Sequence, residues 1–139
     1  MPLKVNISSK SGPYLEMYAK SVTINLVEAG QITILPKHTP LIGVVDISEL
    51  KIFGVDNITR HFAISGGVLK ISSDGVLILA NAIESVNDID FARATRAKER
   101  AEQRLQDKKD VDIKRAEAAL NRALNRLNVY SKNFEPGKK

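Results

Sequence analysis

The 139-residue chain carries 21 Lys and Arg against 16 Asp and Glu, a formal net charge of +5, and no cysteine. Its length suits one domain, or a small domain with an appendage, and the missing thiols exclude disulfides and thiol-ligated metals or clusters, which allows a reducing cytosolic setting. Through Glu84 the seven basic and seven acidic residues cancel, so the whole positive excess lies beyond that point. The opening MPLKVNISSKSG has neither a long apolar run nor a small-residue cleavage signal, and no stretch approaches the roughly 18 apolar residues of a membrane span. The expectation is a soluble protein with no direct membrane insertion, able to work on a membrane-attached machine.

Leu3, Val5 and Ile7 alternate as a half-buried strand requires. SSKSGP reads as a turn cluster, punctuated by Gly12-Pro13. Val22, Ile24 and Leu26 alternate again, and Glu28-Ala29-Gly30-Gln31 reads as a hairpin connection. Ile32 to Leu35 forms a further strand, which Pro36 stops or moves to an edge. Leu41 to Val45 is apolar without alternation, which predicts burial on both faces. Leu50 and Ile52 alternate, and Gly54-Val55-Asp56-Asn57 turns the chain. Ile58, Arg60, Phe62 and Ile64 fall on one side of the next strand, and Gly66-Gly67 breaks it where a side chain would collide with neighbouring backbone. Val68 to Ile71, the turn Ser72-Ser73-Asp74-Gly75, and Val76 to Ala80 read as a hairpin. Eight to ten short strands in this first part imply a small β-sandwich or flattened barrel, since isolated hairpins do not persist in water.

From Asp88 the composition changes to Ala, Leu, Arg, Lys and Glu, and glycine and proline vanish until Pro136 and Gly137. Asp88 is the expected N-cap and Asp90 the first-turn acid favoured by the helix dipole. Ala94, Ala97, Ala101 and Leu105 make one helical stripe. DKKDVD interrupts it, and Asp110 or Asp112 would cap a second helix with the stripe Ile113, Ala116, Leu120, Ala123 and Leu127. The pattern predicts an antiparallel two-helix hairpin over 87–130, following a β-domain over 1–86, with 131–139 as a flexible tail. Burying mostly alanines stabilises little at about 25 cal/mol per Å², so the hairpin is expected to open or re-dock readily.

Catalytic patterns are missing. His38 and His61 have no metal-ligand spacing around them, and His61 reads as a strand residue. No Ser stands in an elbow-type glycine motif, and Ser65-Gly66-Gly67 lacks the rest of a phosphate loop. The one spacing that suggests a ligand is helical. Asp90, Arg93 and Arg100 fall three and seven apart on one side of the first helix, and Arg122 and Arg126 four apart on the second. They could hold a nucleotide or face water. The basic excess suits an acidic protein surface, a polyphosphate or nucleic acid; nucleic acid fits least, because acids are interleaved and aromatics for base stacking are scarce.

GQITILPKHTPLIG in the first part, ISGGVLKI in the middle and DIDFARA at the junction resemble the epsilon subunit of F-type ATP synthases, over about Leu3 to Val129. Gln31 and Thr33 stand where that family usually has Glu and a second Gly. The resemblance implies a non-catalytic subunit of the central stalk, whose β-domain binds the gamma subunit and the ring of c subunits. Gln31, Leu35, Pro36 and His38 match the segment near those contacts, with His38 alternatively a loop residue kept for shape. It implies a hairpin that lies folded or extends towards the catalytic beta and alpha subunits to block ATP hydrolysis, with Arg115, Arg122 and Arg126 as the inhibitory basic helix, or else merely as a solvated face. It requires no cofactor.

Some bacterial members bind ATP in the folded hairpin through Ile/Leu-Asp-x-x-Arg-Ala, which Ile89, Asp90, Arg93 and Ala94 match, as Glu84, Arg100, Arg122 and Arg126 match the remaining positions. ATP would be a regulatory ligand. Asp90 and Glu84 would read donors of the base or ribose, or hold the helix start. The location implied is the cytoplasmic face of a bacterial plasma membrane, as a peripheral subunit, with a thylakoid membrane as the alternative. A stand-alone ATP-sensing module and a nucleic-acid-binding basic hairpin are the competing functions.

Overall fold

The computed structural model describes residues 2–107 and 113–135. The chain divides into two compact units, one ending at Ser85 and the other starting at Val86. The first unit is all β, with β1 (Leu3–Ser9), β2 (Gly12–Leu26), β3 (Gly30–Ile34), β4 (Leu41–Gly54), β5 (Thr59–Ser72), β6 (Gly75–Ala80) and β7 (Ile83–Ser85).

Three strands are far longer than their sequence suggests, and each serves two layers. The first half of β2 pairs with β1, and its second half pairs with β3 on the same edge while β4 runs along the other. The antiparallel β4–β5 ladder runs from Leu41↔Ile71 to Phe53↔Thr59, with β6 on the C-terminal half of β5 and β7 on its N-terminal half. β1 closes the first layer by a parallel pairing with β6. The expected eight to ten short strands are therefore seven, three of them bent across both layers. Two passages misled the sequence reading. Gly12-Pro13 belongs to β2, because a register shift between Ile7 and Ser8 admits Pro13 opposite Ser8. Gly66-Gly67 continues β5 with φ of 88° and 143°. The collision reading is borne out there: a methyl on Gly67 would overlap the Leu79 carbonyl oxygen.

The core between the layers is aliphatic. Val5, Ile7, Val22, Ile24, Ile34, Leu50, Ile52, Ile64, Leu69 and Ile78 are almost fully enclosed. Leu41 to Val45 is a correction. The run is not buried on both faces: it alternates, with Val45 inside and Ile42 and Val44 outside at 72% and 61% exposure.

The second unit opens with a single 3-10 turn, Val86–Asp88, followed by α1 (Phe91–Gln106) and α2 (Ile113–Asn133). The N-cap is Asp90, not Asp88. The buried Ile89 donates its amide to the Val86 carbonyl at 3.3 Å, which keeps the chain in the tighter turn and delays the helix by two residues. The expected caps Asp110 and Asp112 lie outside the described residues. α2 also outruns the expected end at 130, reaching Asn133, whose side-chain amide donates to the Val129 carbonyl at 3.1 Å. Ala94 and Ala101 of α1 and Ala116, Ala123 and Val129 of α2 are buried. Ile113, expected on the seam, is 56% exposed, and Val129 takes a place on it instead. Phe91, at the start of α1, meets Tyr130, near the end of α2, with ring centroids 5.2 Å apart, so the helices are antiparallel as expected.

Candidate functional site

Asp90 organises the start of α1. Its extended backbone (φ −85°, ψ 101°) turns the carboxylate back, and Oδ1 accepts the Arg93 backbone amide at 3.0 Å. One of the amides that a helix start leaves without a carbonyl is thereby satisfied.

Where the arginines stand follows from the seam. Arg93 immediately precedes buried Ala94, Arg100 precedes Ala101, and Arg122 precedes Ala123. Residues one position before a facing residue rotate to the same side of both helices when the helices run antiparallel. Arg126, three positions after Ala123, shares that flank of α2. Heights follow from the Phe91–Tyr130 contact and the helical rise. Arg93 lies about 3 Å along α1 and Arg126 about 6 Å along α2 from that contact, while Arg100 and Arg122 lie about 13 and 12 Å along. The hairpin thus carries two arginine levels on one side. Arg93 and Arg100 are exposed, and Arg122 and Arg126 half-buried. Among the described residues the guanidiniums of Arg93, Arg100 and Arg122 have no ion-pair partner, whereas in the β unit Lys4 pairs with Glu16, Arg60 with Asp56 and His61 with Glu49.

Other residues picked from the sequence fall elsewhere. Ile89 and Ala94 are buried at 5% and 4%, so in this state they shape the site rather than line it. Arg115 precedes Ala116 on the same flank, about 22 Å from the ring contact along α2, well beyond both levels. Glu84 belongs to the other unit, on β7 opposite Ala63. Groups of three or more His, Asp or Glu placed to hold a metal are absent among the described residues.

The β unit offers two surfaces. Gln31 is exposed on β3 opposite Asn25. After β3 the chain makes a tight turn, in which His38 donates its amide to the Leu35 carbonyl at 3.2 Å. Pro36 presets φ at the second position, and Lys37 takes a left-handed φ of 69° at the third. The turn lifts Leu35 to 56% exposure. His38 Nδ1 lies 2.7 Å from the Thr39 carbonyl, which fixes the ring against its own loop.

The second surface was missed in the sequence. On the outer face of β4, β5 and β6, Val44 stands opposite Val68 and Val68 opposite Leu79. In the next row Ile42 and Leu77 flank Lys70. The five aliphatic side chains are 37–72% exposed. Their signal was the unalternating run Leu41 to Val45, which marks a strand apolar on both faces but not which face a partner covers.

Two family models cover nearly the whole chain. The ATP synthase Delta/Epsilon chain beta-sandwich domain matches residues 2–86, and the long alpha-helix domain of the same chain matches residues 87–131. An ATP synthase epsilon chain of Bacillus cytotoxicus is 44% identical over 126 residues, 90% of this chain and 93% of that one. One from Bacillus licheniformis is 43% identical over 128 residues, 91% and 96% of the two chains. Among solved structures, a chain of the mitochondrial ATP synthase of Euglena gracilis superposes with a TM-score of 0.69 at 19% identity, covering 94% of this chain and 78% of that chain. A chain from the central stalk and c-ring of the Tetrahymena thermophila enzyme gives 0.56 at 19%, covering 93% of each; at such identity both show the fold alone. With a β-sandwich and a helical hairpin each matched along its length, and relatives above 40% identity over nine-tenths of the residues, the chain belongs to the ATP synthase delta/epsilon family.

Proposed function

We propose that this chain is the regulatory central-stalk subunit of a proton-translocating ATP synthase. It catalyses nothing itself. It couples proton flow to ATP synthesis and restrains ATP hydrolysis through its hairpin, whose folded state ATP holds. The observation that carries this reading is the flank of Arg93, Arg100, Arg122 and Arg126, which comes together only while the helices are paired. A planar guanidinium makes paired hydrogen bonds to phosphate oxygens, and several together offset the charge of a triphosphate.

ATP binding one hairpin state shifts the population towards it. Ligand at about 1,000 times its dissociation constant contributes about 4 kcal/mol, enough to move an alanine-lined hairpin through most of a two-state transition. Unpaired, α2 presents Arg115, Arg122 and Arg126 to an acidic surface of the catalytic beta and alpha subunits. The aliphatic face of β4, β5 and β6 supports docking of the gamma subunit, and the Leu35–His38 turn supports contact with the c-ring. A peripheral place on the cytoplasmic face of a bacterial plasma membrane is supported by the bacterial relatives; among the described residues no helix is long and apolar enough to cross a membrane.

Calorimetric titration of ATP, then ADP, into the isolated chain tests the switch. ATP-selective binding, weakened more than tenfold in Arg93→Ala and in Arg126→Ala, is expected. Unchanged affinity in both variants would remove the site and assign the arginines to the catalytic subunits or to solvent. Co-purification with a gamma subunit separates the stalk role from a free ATP-sensing module.

A further inference from the structure

The second unit has an aromatic contact besides its alanine seam. Three rings stand at one end of the hairpin. Phe91 of α1 and Tyr130 of α2 meet at 5.2 Å with planes 42° apart, and Tyr130 stacks on Phe134 at 4.5 Å and 18°. Phe134 lies just past the end of α2, held by its amide on the Tyr130 carbonyl at 2.8 Å. The rings stay partly open to solvent, Phe91 at 46% and Phe134 at 37% exposure.

We infer that these rings form an aromatic clasp that sets how readily the hairpin opens in the absence of any ligand. The five fully buried residues of the seam include four alanines, Ala94, Ala101, Ala116 and Ala123, with Leu105, Leu120 and Leu127 only half-buried beside them. Methyl-on-methyl contact holds helices close but weakly. Ring pairs add a favourable geometric term beyond their buried area. Position strengthens the effect. The clasp joins the first residue of α1 to the last turn of α2, the end farthest from the connection between the helices. An antiparallel pair tethered at one end separates first at the other, so a contact there opposes the first step of opening. The same end carries Arg93 and Arg126. Closing the rings brings that arginine level together before a nucleotide arrives, and so reduces what binding must supply. Partial exposure leaves the clasp reversible.

The inference rests on the proposed function only in that the hairpin opens. Its test uses the full chain without nucleotide, so loss of ATP binding in an arginine variant leaves the outcome untouched. Hydrogen exchange of α2 amides is compared in the wild type, Tyr130→Phe, Tyr130→Ala, Phe91→Ala and the double alanine variant. Tyr130→Ala is expected to speed exchange of α2 amides about five- to tenfold, and Tyr130→Phe, which keeps the ring, to exchange near the wild-type rate. The double variant should add little to Tyr130→Ala alone, because either change removes the same contact. Amides of β4 and β5 serve as the internal control and should not change. Wild-type exchange in Tyr130→Ala, fully additive effects of the two alanines, or equal acceleration in the β unit would each overturn the clasp.

Discussion

The Asp90 carboxylate accepts the Arg93 backbone amide at 3.0 Å, so the residue that starts α1 also fixes the turn from which the Arg93 guanidinium departs. A helix cap and a candidate ligand residue are thus one local structure. Asp90→Ala should cost about 1 kcal/mol of helix stability, and ATP affinity should fall with it. Asn caps as well as Asp. If Asp90 only holds the helix start, Asp90→Asn restores both helix protection and ATP affinity. Restored helix protection with lost affinity would assign the carboxylate to the ligand directly. Hydrogen exchange and calorimetry on the same two variants decide it.

Arg115 separates the two uses of the basic flank. It lies about two turns of helix beyond the Arg100–Arg122 level. Arg115→Ala should leave ATP affinity within about twofold, while loss of its contact with acidic catalytic subunits should weaken inhibition of hydrolysis in the assembled enzyme, more so at low salt. Equal loss of ATP affinity in Arg115→Ala and Arg122→Ala would undo the two-level arrangement.

The outer face of β4, β5 and β6 should tolerate charge in the isolated chain. Val44→Glu and Leu79→Glu add carboxylates to residues already 61% and 49% exposed, so thermal stability should change by less than about 0.5 kcal/mol. Capture of a gamma subunit by the same variants should fall at least tenfold, because an unpaired charge would be buried in the contact. Undiminished capture would move the docking face elsewhere on the sandwich.

Gly67 of β5 lies opposite Ala80 of β6. Its φ of 143° and the overlap of any methyl with the Leu79 carbonyl oxygen leave no room for alanine. Gly67→Ala should cost about 3 kcal/mol, combining backbone strain with displacement of the neighbouring strand. Gly12→Ala is the comparison, since its φ of 110° faces open space. Equal melting temperatures for the two variants would show that the close approach contributes nothing.

Asp56 and Arg60 pair through both nitrogens, Nη2 to Oδ2 at 2.8 Å and Nη1 to Oδ1 at 3.2 Å, across the turn between β4 and β5. The Arg60 hydrogen bonds, then the Ile58 amide, lower the Asp56 carboxyl from its ordinary 3.8 to about 2. A folded value below the unfolded one means stabilisation present above about pH 4 and lost as the pH falls through about 2. Denaturant unfolding of the wild type should therefore weaken more steeply between pH 4 and pH 2 than that of Asp56→Asn. Parallel pH profiles would show that the pair contributes nothing measurable in solution.

How far the sequence reached depends on what its signals report. Period-two alternation marked β1, the second half of β2 and the Leu50–Ile52 stretch of β4, because one face of each is enclosed. It could not show that β2, β4 and β5 each continue through a bend, because a bulge or a glycine breaks the alternation without ending the backbone ladder. The composition change near residue 88 located the helical part, yet the cap fell at Asp90 because Ile89 is held against the 3-10 turn. Leu41 to Val45 declared itself apolar, but an apolar side chain reads alike whether it faces this chain's core or a partner.

By itself, then, the amino-acid order determined the class of the two units, the antiparallel hairpin, the arginines worth weighing and the family. Those depend on local periodicity, capping chemistry and short motifs, which are written along the chain. Tertiary structure alone decided that the arginines share one flank at two levels, that Ile42 and Val44 face outward beside Val68 and Leu79, and that Phe91 reaches Tyr130 across nearly 40 intervening positions. Each of these depends on which residues meet across helices or strands. Such meetings follow from packing of the whole unit, and no spacing along the chain encodes them.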